Sequence, residues 1–186
     1  MKDSFTIEKV DWDSHSITLL RVRNRVFVEE QKVPAEIEVD EYDQQSIHFL
    51  ALDQNGSPIG TARLLPDGRV GRVAVLIEWR RKGVGRALMN ETLTVATQRG
   101  ISRVTLHAQV SSIPFYSELG FETEGPEFDE AGIPHRQMHL DLQGKKKTTP
   151  HNGAVLLRNP WHATLLKRSV TSARHSHSRP NGSKAF

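Results

Sequence analysis

The stretch Val73-Ala74-Val75-Leu76-Ile77-Glu78-Trp79-Arg80-Arg81-Lys82-Gly83-Val84-Gly85-Arg86-Ala87-Leu88-Met89 joins an apolar strand, a basic loop with two glycines and the start of a helix. A helix start leaves backbone N–H groups without intrahelical acceptors and carries partial positive charge, so this order of elements makes an anion site of the phosphate kind. Gly83 and Gly85 let the backbone approach an anion closely, and Arg80, Arg81, Lys82 and Arg86 add positive charge beside it. Two familiar phosphate loops do not fit. The nucleotide loop requires Gly-Lys-Ser/Thr, whereas Gly85 is followed by Arg86-Ala87. The dinucleotide fingerprint requires a third glycine, which does not follow at the right spacing. A bare Gly-x-Gly is otherwise an ordinary turn, so the loop needs support from elsewhere in the chain.

Other residues carry chemistry of a different kind. Tyr116, inside Phe115-Tyr116-Ser117-Glu118-Leu119-Gly120-Phe121, is either a proton donor or a helix residue packed on the core. His107 alternates with Thr105 and Gln109 on one face of a strand candidate. Residues 29–43 hold seven acids, Glu29, Glu30, Glu36, Glu38, Asp40, Glu41 and Asp43, against the single base Lys32. That segment reads either as a solvated loop or as a rim that draws a cationic amine by charge. No metal is expected: the chain has no cysteine, and His175-Ser176-His177 lies in a basic stretch without carboxylate partners. The lack of cysteine also excludes a disulfide framework and a cysteine nucleophile.

The elements that must position these residues follow from hydrophobic period and turn signals. Phe5 to Val10 alternates as a strand. Asp13 or Ser14 is placed to cap a helix with Leu19, Val22, Val26 and Phe27 at helical spacing. Strands at His48 to Leu52, Ile59 to Leu65 and Arg69 to Ile77 are separated by Asp53-Gln54-Asn55-Gly56 and Pro66-Asp67-Gly68. After Gly83 a helical pattern runs to Arg99 and stops at Gly100. Arg103 to Val110 alternates, with Val104, Leu106, Ala108 and Val110 opposite Thr105, His107 and Gln109. A short helix at Pro114 to Leu119 precedes a last strand pair, Phe121 to Phe128 and Arg136 to Leu142. The order β-α-β-β-β-α-β-α-β-β predicts a mixed α/β domain with a hairpin-rich central sheet flanked by helices.

The form Arg-x-x-Gly-x-Gly at Arg80, Gly83 and Gly85, the preceding Val73-Ala74-Val75 and the later Phe-Tyr-x-x-Leu-Gly-Phe element together resemble the GNAT superfamily of acetyl-CoA-dependent N-acetyltransferases, over about residues 5–142. Within it, Val26 to Pro34, Glu38, Asp40, Asp43, His48, Leu106-His107-Ala108-Gln109 and Gly132-Ile133-Pro134-His135 look like the ElaA-type subfamily. The resemblance implies transfer of an acetyl group from acetyl-CoA to an amine by direct attack, without a metal. It implies that the backbone of Val73, Ala74 and Val75 pairs with the pantetheine arm. The amides of Arg81, Lys82, Gly83, Val84, Gly85 and Arg86 would then cradle the pyrophosphate, with Arg80 or Lys82 adding charge. Tyr116 matches the tyrosine that gives a proton to the leaving thiolate. Some members carry a glutamate base on the strand before the loop. The sequence Arg69-Val70-Gly71-Arg72-Val73-Ala74-Val75 has none, which leaves Glu30, His107 or water as the base.

The formal charge of +3 hides a split. Residues 1–142 hold 16 Lys and Arg against 22 Asp and Glu, and residues 143–186 hold 9 Lys and Arg with no acid. The expected organisation is an acidic acetyltransferase domain, 1–142, and a basic C-terminal tail, 143–186, largely flexible by composition at Ser176 to Phe186. The longest apolar run, Val73 to Ile77, is far short of the ~18 residues of a membrane span, and Met1-Lys2-Asp3-Ser4-Phe5 has no apolar signal core. These readings give a cytoplasmic enzyme with no membrane partner and a small-molecule or peptide amine acceptor; a homodimer stays open. Two competing readings are a non-catalytic acyl-CoA sensor with the same loop, and a nucleic-acid-associated protein acting through the tail, which lacks a recognisable nucleic-acid fold.

Overall fold

In the computed structural model, which describes residues 4–142, seven strands form one sheet in the order β1-β2-β3-β4-β5-β7-β6. They are β1 (Phe5–Val10), β2 (Ile47–Asp53), β3 (Pro58–Leu64), β4 (Arg69–Val75), β5 (Arg103–Gln109), β6 (Glu122–Glu130) and β7 (Ile133–Asp141). The helices are α1 (Trp12–Arg23), α2 (Val84–Gln98) and α3 (Ile113–Ser117). All neighbouring strands pair antiparallel except β4 and β5, which are parallel. The expected order of elements is the order found. The tail at 143–186 and the readings placed on it fall outside the described residues.

Alternation along the strands sorts the sheet into two faces. Phe49, Ala51, Ala62, Leu64, Val70, Val104, Leu106 and Ala108 join Val84, Leu88, Met89 and Val95 of α2 in the main core. Gly60 lets α2 come close: a Cβ there would lie 3.0 Å from Leu88 and 3.2 Å from Val84. The opposite face packs Leu50 against Leu19 of α1, and Ala74 and Leu76 against Val22 and Val26. Arg63, Arg69, Thr105 and His107, which alternate with core residues, therefore project on the α1 side.

Two local findings refine the sequence reading. Helix α1 is capped two or three residues earlier than expected, because Asp11 accepts from Ser14 N at 2.8 Å and takes that role from Asp13 and Ser14. It then continues as a π-helical extension over Asn24–Glu30, which keeps Val26 and Phe27 against the sheet. The β6–β7 turn is Ala131-Gly132, both at positive φ (55° and 76°), a two-residue hairpin turn whose backbone twist matches that of the strands.

The connection at residues 29–46 departs most from expectation. It is anchored by a cluster of alternating charges rather than solvated along its length. Arg23 pairs with Glu38 and, through Nη1 at 2.8 Å, with Asp43. Arg63 Nη1 lies 2.6 Å from Asp40 and 2.8 Å from Asp43. Arg72 reaches Glu38 at 3.1 Å and Asp40 at 3.0 Å, and also donates to the carbonyls of Ile37 and Glu38. Arg23, Glu38, Asp43 and Arg63 are all buried. Three arginines thus neutralise three of the seven acids and halve the net charge on which a cation-drawing rim depended. Burial pulls the Asp43 carboxyl upward, but the hydrogen bonds and charges of Arg23 and Arg63 outweigh it and bring it down to about 2. For Glu38, burial wins and holds the carboxyl above its ordinary range despite Arg23.

Candidate active site

The strands part at the centre of the sheet. β4 and β5 pair only at Arg69↔Thr105 and Val70↔Leu106. One cause lies on the other edge of β4. Between Thr61↔Ala74 and Arg63↔Gly71 the register slips by one residue, and Arg72 sits at φ 51°, so β4 carries a bulge at Arg72-Val73 that bends it away. Thr61 Oγ1 donates to the Arg72 carbonyl at 2.9 Å and helps to fix the bulge. Past the bulge, Leu76 N donates to Ile59 O, which makes Gly60 and Val75 a non-hydrogen-bonded pair. The N–H and C=O of Val75 therefore face the open gap.

The gap opens into a cleft of about 770 Å³, bordered by Val73, Ala74 and Val75, by Arg69 and Arg72, and by His107, Gln109, Tyr116 and Glu130. That volume suits the end of a long ligand together with a small second one. Gly83 ends the loop beside it at φ 90°, a conformation that needs glycine, and no side chain caps α2 there. The first amides of α2, from Val84, Gly85 and Arg86, thus have no side-chain acceptor. A Cβ on Gly85 would meet Phe115 at 3.5 Å and Val75 at 3.7 Å, both ordinary contacts.

The basic side chains of the loop do other work than expected. Arg80 donates from Nε to the Val75 carbonyl at 3.0 Å and grips both carboxylate oxygens of Glu30 at 2.7 and 2.6 Å. It braces β4 against the π-helical extension, so it is not a loose phosphate charge. The same grip corrects the reading of Glu30 as a base: hydrogen bonds from Arg80 hold its carboxyl below its ordinary value. Lys82 lies over the Trp79 ring at 5.1 Å, and Arg86 pairs with Glu118 at 2.6 Å. Arg81 takes a positive φ of 60°.

His107 stands on the α1 face of β5, part-exposed at the cleft. Its Nδ1 is 2.8 Å from Glu130 Oε2, and Phe128 meets the ring edge-on at 4.9 Å. A carboxylate at Nδ1 selects the tautomer with hydrogen there and leaves the Nε2 lone pair available as a base. Glu130 was not singled out in the sequence; its neighbours Asp129 and Glu127 look alike, and only the curl of the β6–β7 hairpin brings it to His107. Gln109, on the same face, donates to Gln31 at 2.8 Å and ties β5 to the connection. Tyr116 belongs to the core on the α2 side, in edge contact with Phe115 and Phe121, and also borders the cleft. Burial pushes its phenol up to about 12. Arg63, Arg69, Arg72 and Tyr42 were also missed as site residues, since arginines on alternating strands read as solvent-facing.

Among the described residues no group of His, Asp and Glu could hold a metal ion, and no helix is long and apolar enough to cross a membrane. The family described as "Acetyltransferase (GNAT) domain" matches residues 5–142. The chain is 40% identical over 124 residues to YjcF of Bacillus subtilis, named an uncharacterized N-acetyltransferase, covering 64% of this chain and 88% of that protein. It is 33% identical over 137 residues to Protein ElaA of Escherichia coli, covering 69% and 89%. The crystal structure of an acyl-CoA N-acyltransferase from Pseudomonas aeruginosa superposes with a TM-score of 0.64 at 30% identity, covering 74% of this chain and 98% of that one.

Proposed function

The chain belongs to the GNAT acetyltransferase family and is an acyltransferase, and on that premise we propose that it moves an acetyl group from acetyl-CoA to an amine by direct attack. The observation that carries this reading is the gap beyond Val70 and Leu106, with a base and a proton-holding phenol on its two sides. Val75 N–H and the backbone at the bulge offer an unpaired edge to an amide-bearing arm. The uncapped amides of Val84, Gly85 and Arg86, with Arg81 and Lys82 beside them, suit a pyrophosphate. The same reading makes residues 1–142 the catalytic domain and 143–186 a separate basic extension.

Acetyl-CoA, when bound, supplies an acyl carbon activated by a sulfur leaving group. His107 Nε2 accepts a proton from the amine as its nitrogen bonds to the acyl carbon, while Glu130 holds the ring and balances its charge. The C–S bond breaks with its electron pair on sulfur. A phenol near 12 keeps its proton across the working pH range. Giving that proton fully to a thiolate, whose ordinary value is near ~8.5 for cysteine, runs uphill. Tyr116 therefore acts first as a hydrogen-bond donor to the developing negative sulfur, and water completes the proton transfer.

The test is release of free CoA thiol from acetyl-CoA with a panel of primary amines, followed with a thiol reagent on the full chain. No release with any amine overturns the reading. Tyr116→Phe is expected to lower kcat by about 10- to 100-fold, the worth of one hydrogen bond to a developing charge. KM for acetyl-CoA should stay within about twofold, since that bond forms on departure of the sulfur rather than on binding. An unchanged kcat removes Tyr116 from the mechanism.

A further inference from the structure

Most carboxylates that border the acceptor end of the cleft are already engaged. Glu38, Asp40 and Asp43 are neutralised by Arg23, Arg63 and Arg72, and Glu130 is engaged by His107. Arg69 is different. Its guanidinium lies over the Tyr42 ring at 5.1 Å and has no carboxylate or carbonyl partner among the described residues. Stacking fixes the guanidinium plane and leaves its N–H edge unused, the arrangement that grips a carboxylate through two parallel hydrogen bonds.

Its position relative to the base follows from the sheet. Arg69 pairs with Thr105, and His107 is two residues further along the parallel strand on the same face. With strands ~4.8 Å apart and a rise of ~3.3 Å per residue, the two Cα atoms are on the order of 8 Å apart. A small molecule can reach both. Ile37, Tyr42 and Leu65 border the same end of the cleft and give it an apolar wall.

We infer that Arg69, stacked on Tyr42, is a carboxylate subsite, and that the acceptor is a small primary amine carrying a carboxylate and an apolar body, its amine directed at His107. The inference rests on the acyl-transfer reading above and names its substrate class. It departs from the expectation of a cationic acceptor, because four of the seven acids that suggested one, Glu30, Glu38, Asp40 and Asp43, are bound to arginines.

Matched pairs test it: leucine against leucinamide, and 4-aminobutyrate against its amide, each with acetyl-CoA on the full chain. The acid of at least one pair should exceed its amide by tenfold or more in kcat/KM. Arg69→Gln should collapse that ratio to near one, and Arg69→Lys should restore part of it; comparing variants cancels the intrinsic reactivity of each amine. Calorimetric titration of the same pairs into CoA-saturated protein gives a second readout, with the acid binding about tenfold tighter than the amide. Equal use of acid and amide, or a ratio that survives Arg69→Gln, overturns the subsite while leaving acyl transfer intact. If no pair releases thiol, the wider amine panel decides the acyl-transfer reading and calorimetry decides the subsite: an acid bound no tighter than its amide overturns it.

Discussion

His107→Gln is expected to lower kcat by about 10²–10⁴-fold, the usual contribution of a positioned general base, and to flatten the acidic limb of the pH–rate profile. Gln keeps a polar group able to donate to Glu130 but has no nitrogen that can accept the amine proton. KM for acetyl-CoA should change little, because His107 lies across the gap from the loop at Arg80 to Arg86. Glu130→Gln should cost about tenfold, since its amide oxygen still accepts from Nδ1–H at the 2.8 Å contact but without charge to stabilise the imidazolium. A His107→Gln enzyme with full turnover and an unaltered acidic limb would assign proton removal to water.

The second large effect is on the fold. Arg23→Met should destabilise the chain by about 3–5 kcal/mol, read as a lowered midpoint in urea unfolding. Arg23 is fully buried and is shared by Glu38 and Asp43; its removal leaves two buried carboxylates with half their partners. Arg23→Lys should recover little, because a single ammonium cannot reproduce contacts from Nε, Nη1 and Nη2. A loss under about 1 kcal/mol would mean that the connection is held by other contacts.

The cluster also sets an acid limit. The folded value of Asp43, about 2, lies below its ordinary 3.8. Its contribution, roughly 2 kcal/mol, is therefore full above that ordinary value and is lost as pH falls through about 2. Glu38 shifts the other way and offsets part of the loss. In Arg23→Met the acid transition should move to higher pH, which unfolding curves between about pH 2 and 5 will show.

The order of elements was legible because each strand has strict alternation or a strong turn at its end. Asn55-Gly56, Asp67-Gly68 and Gly132 mark the hairpins, and Gly83 and Gly100 bracket α2. Element boundaries were less so: Asp11 capping α1 depends on one side-chain bond that Asp13 or Ser14 could equally have made.

The geometry of the candidate site was legible only where the main chain sets it. Glycines, helix start and apolar strand act through main-chain geometry, which local sequence sets. Side-chain roles depend on what a residue meets far along the chain. Arg80 looked like a phosphate ligand and is a brace, because Glu30, 50 residues away, folds against it. The acids of residues 29–43 looked like a rim, but Glu38, Asp40 and Asp43 are turned inward onto arginines, because Arg63 and Arg72 rise from strands beneath them.

By itself the sequence determined the strand and helix order, the glycine-bearing turn into α2 and the family, all of which rest on local period and on residues close together in the chain. The tertiary structure decided which acids of residues 29–43 meet arginines, the partner of His107 and the engagement of Glu30. Those follow from Coulomb interactions across the sheet, whose strength depends on distance and burial rather than on position in the sequence.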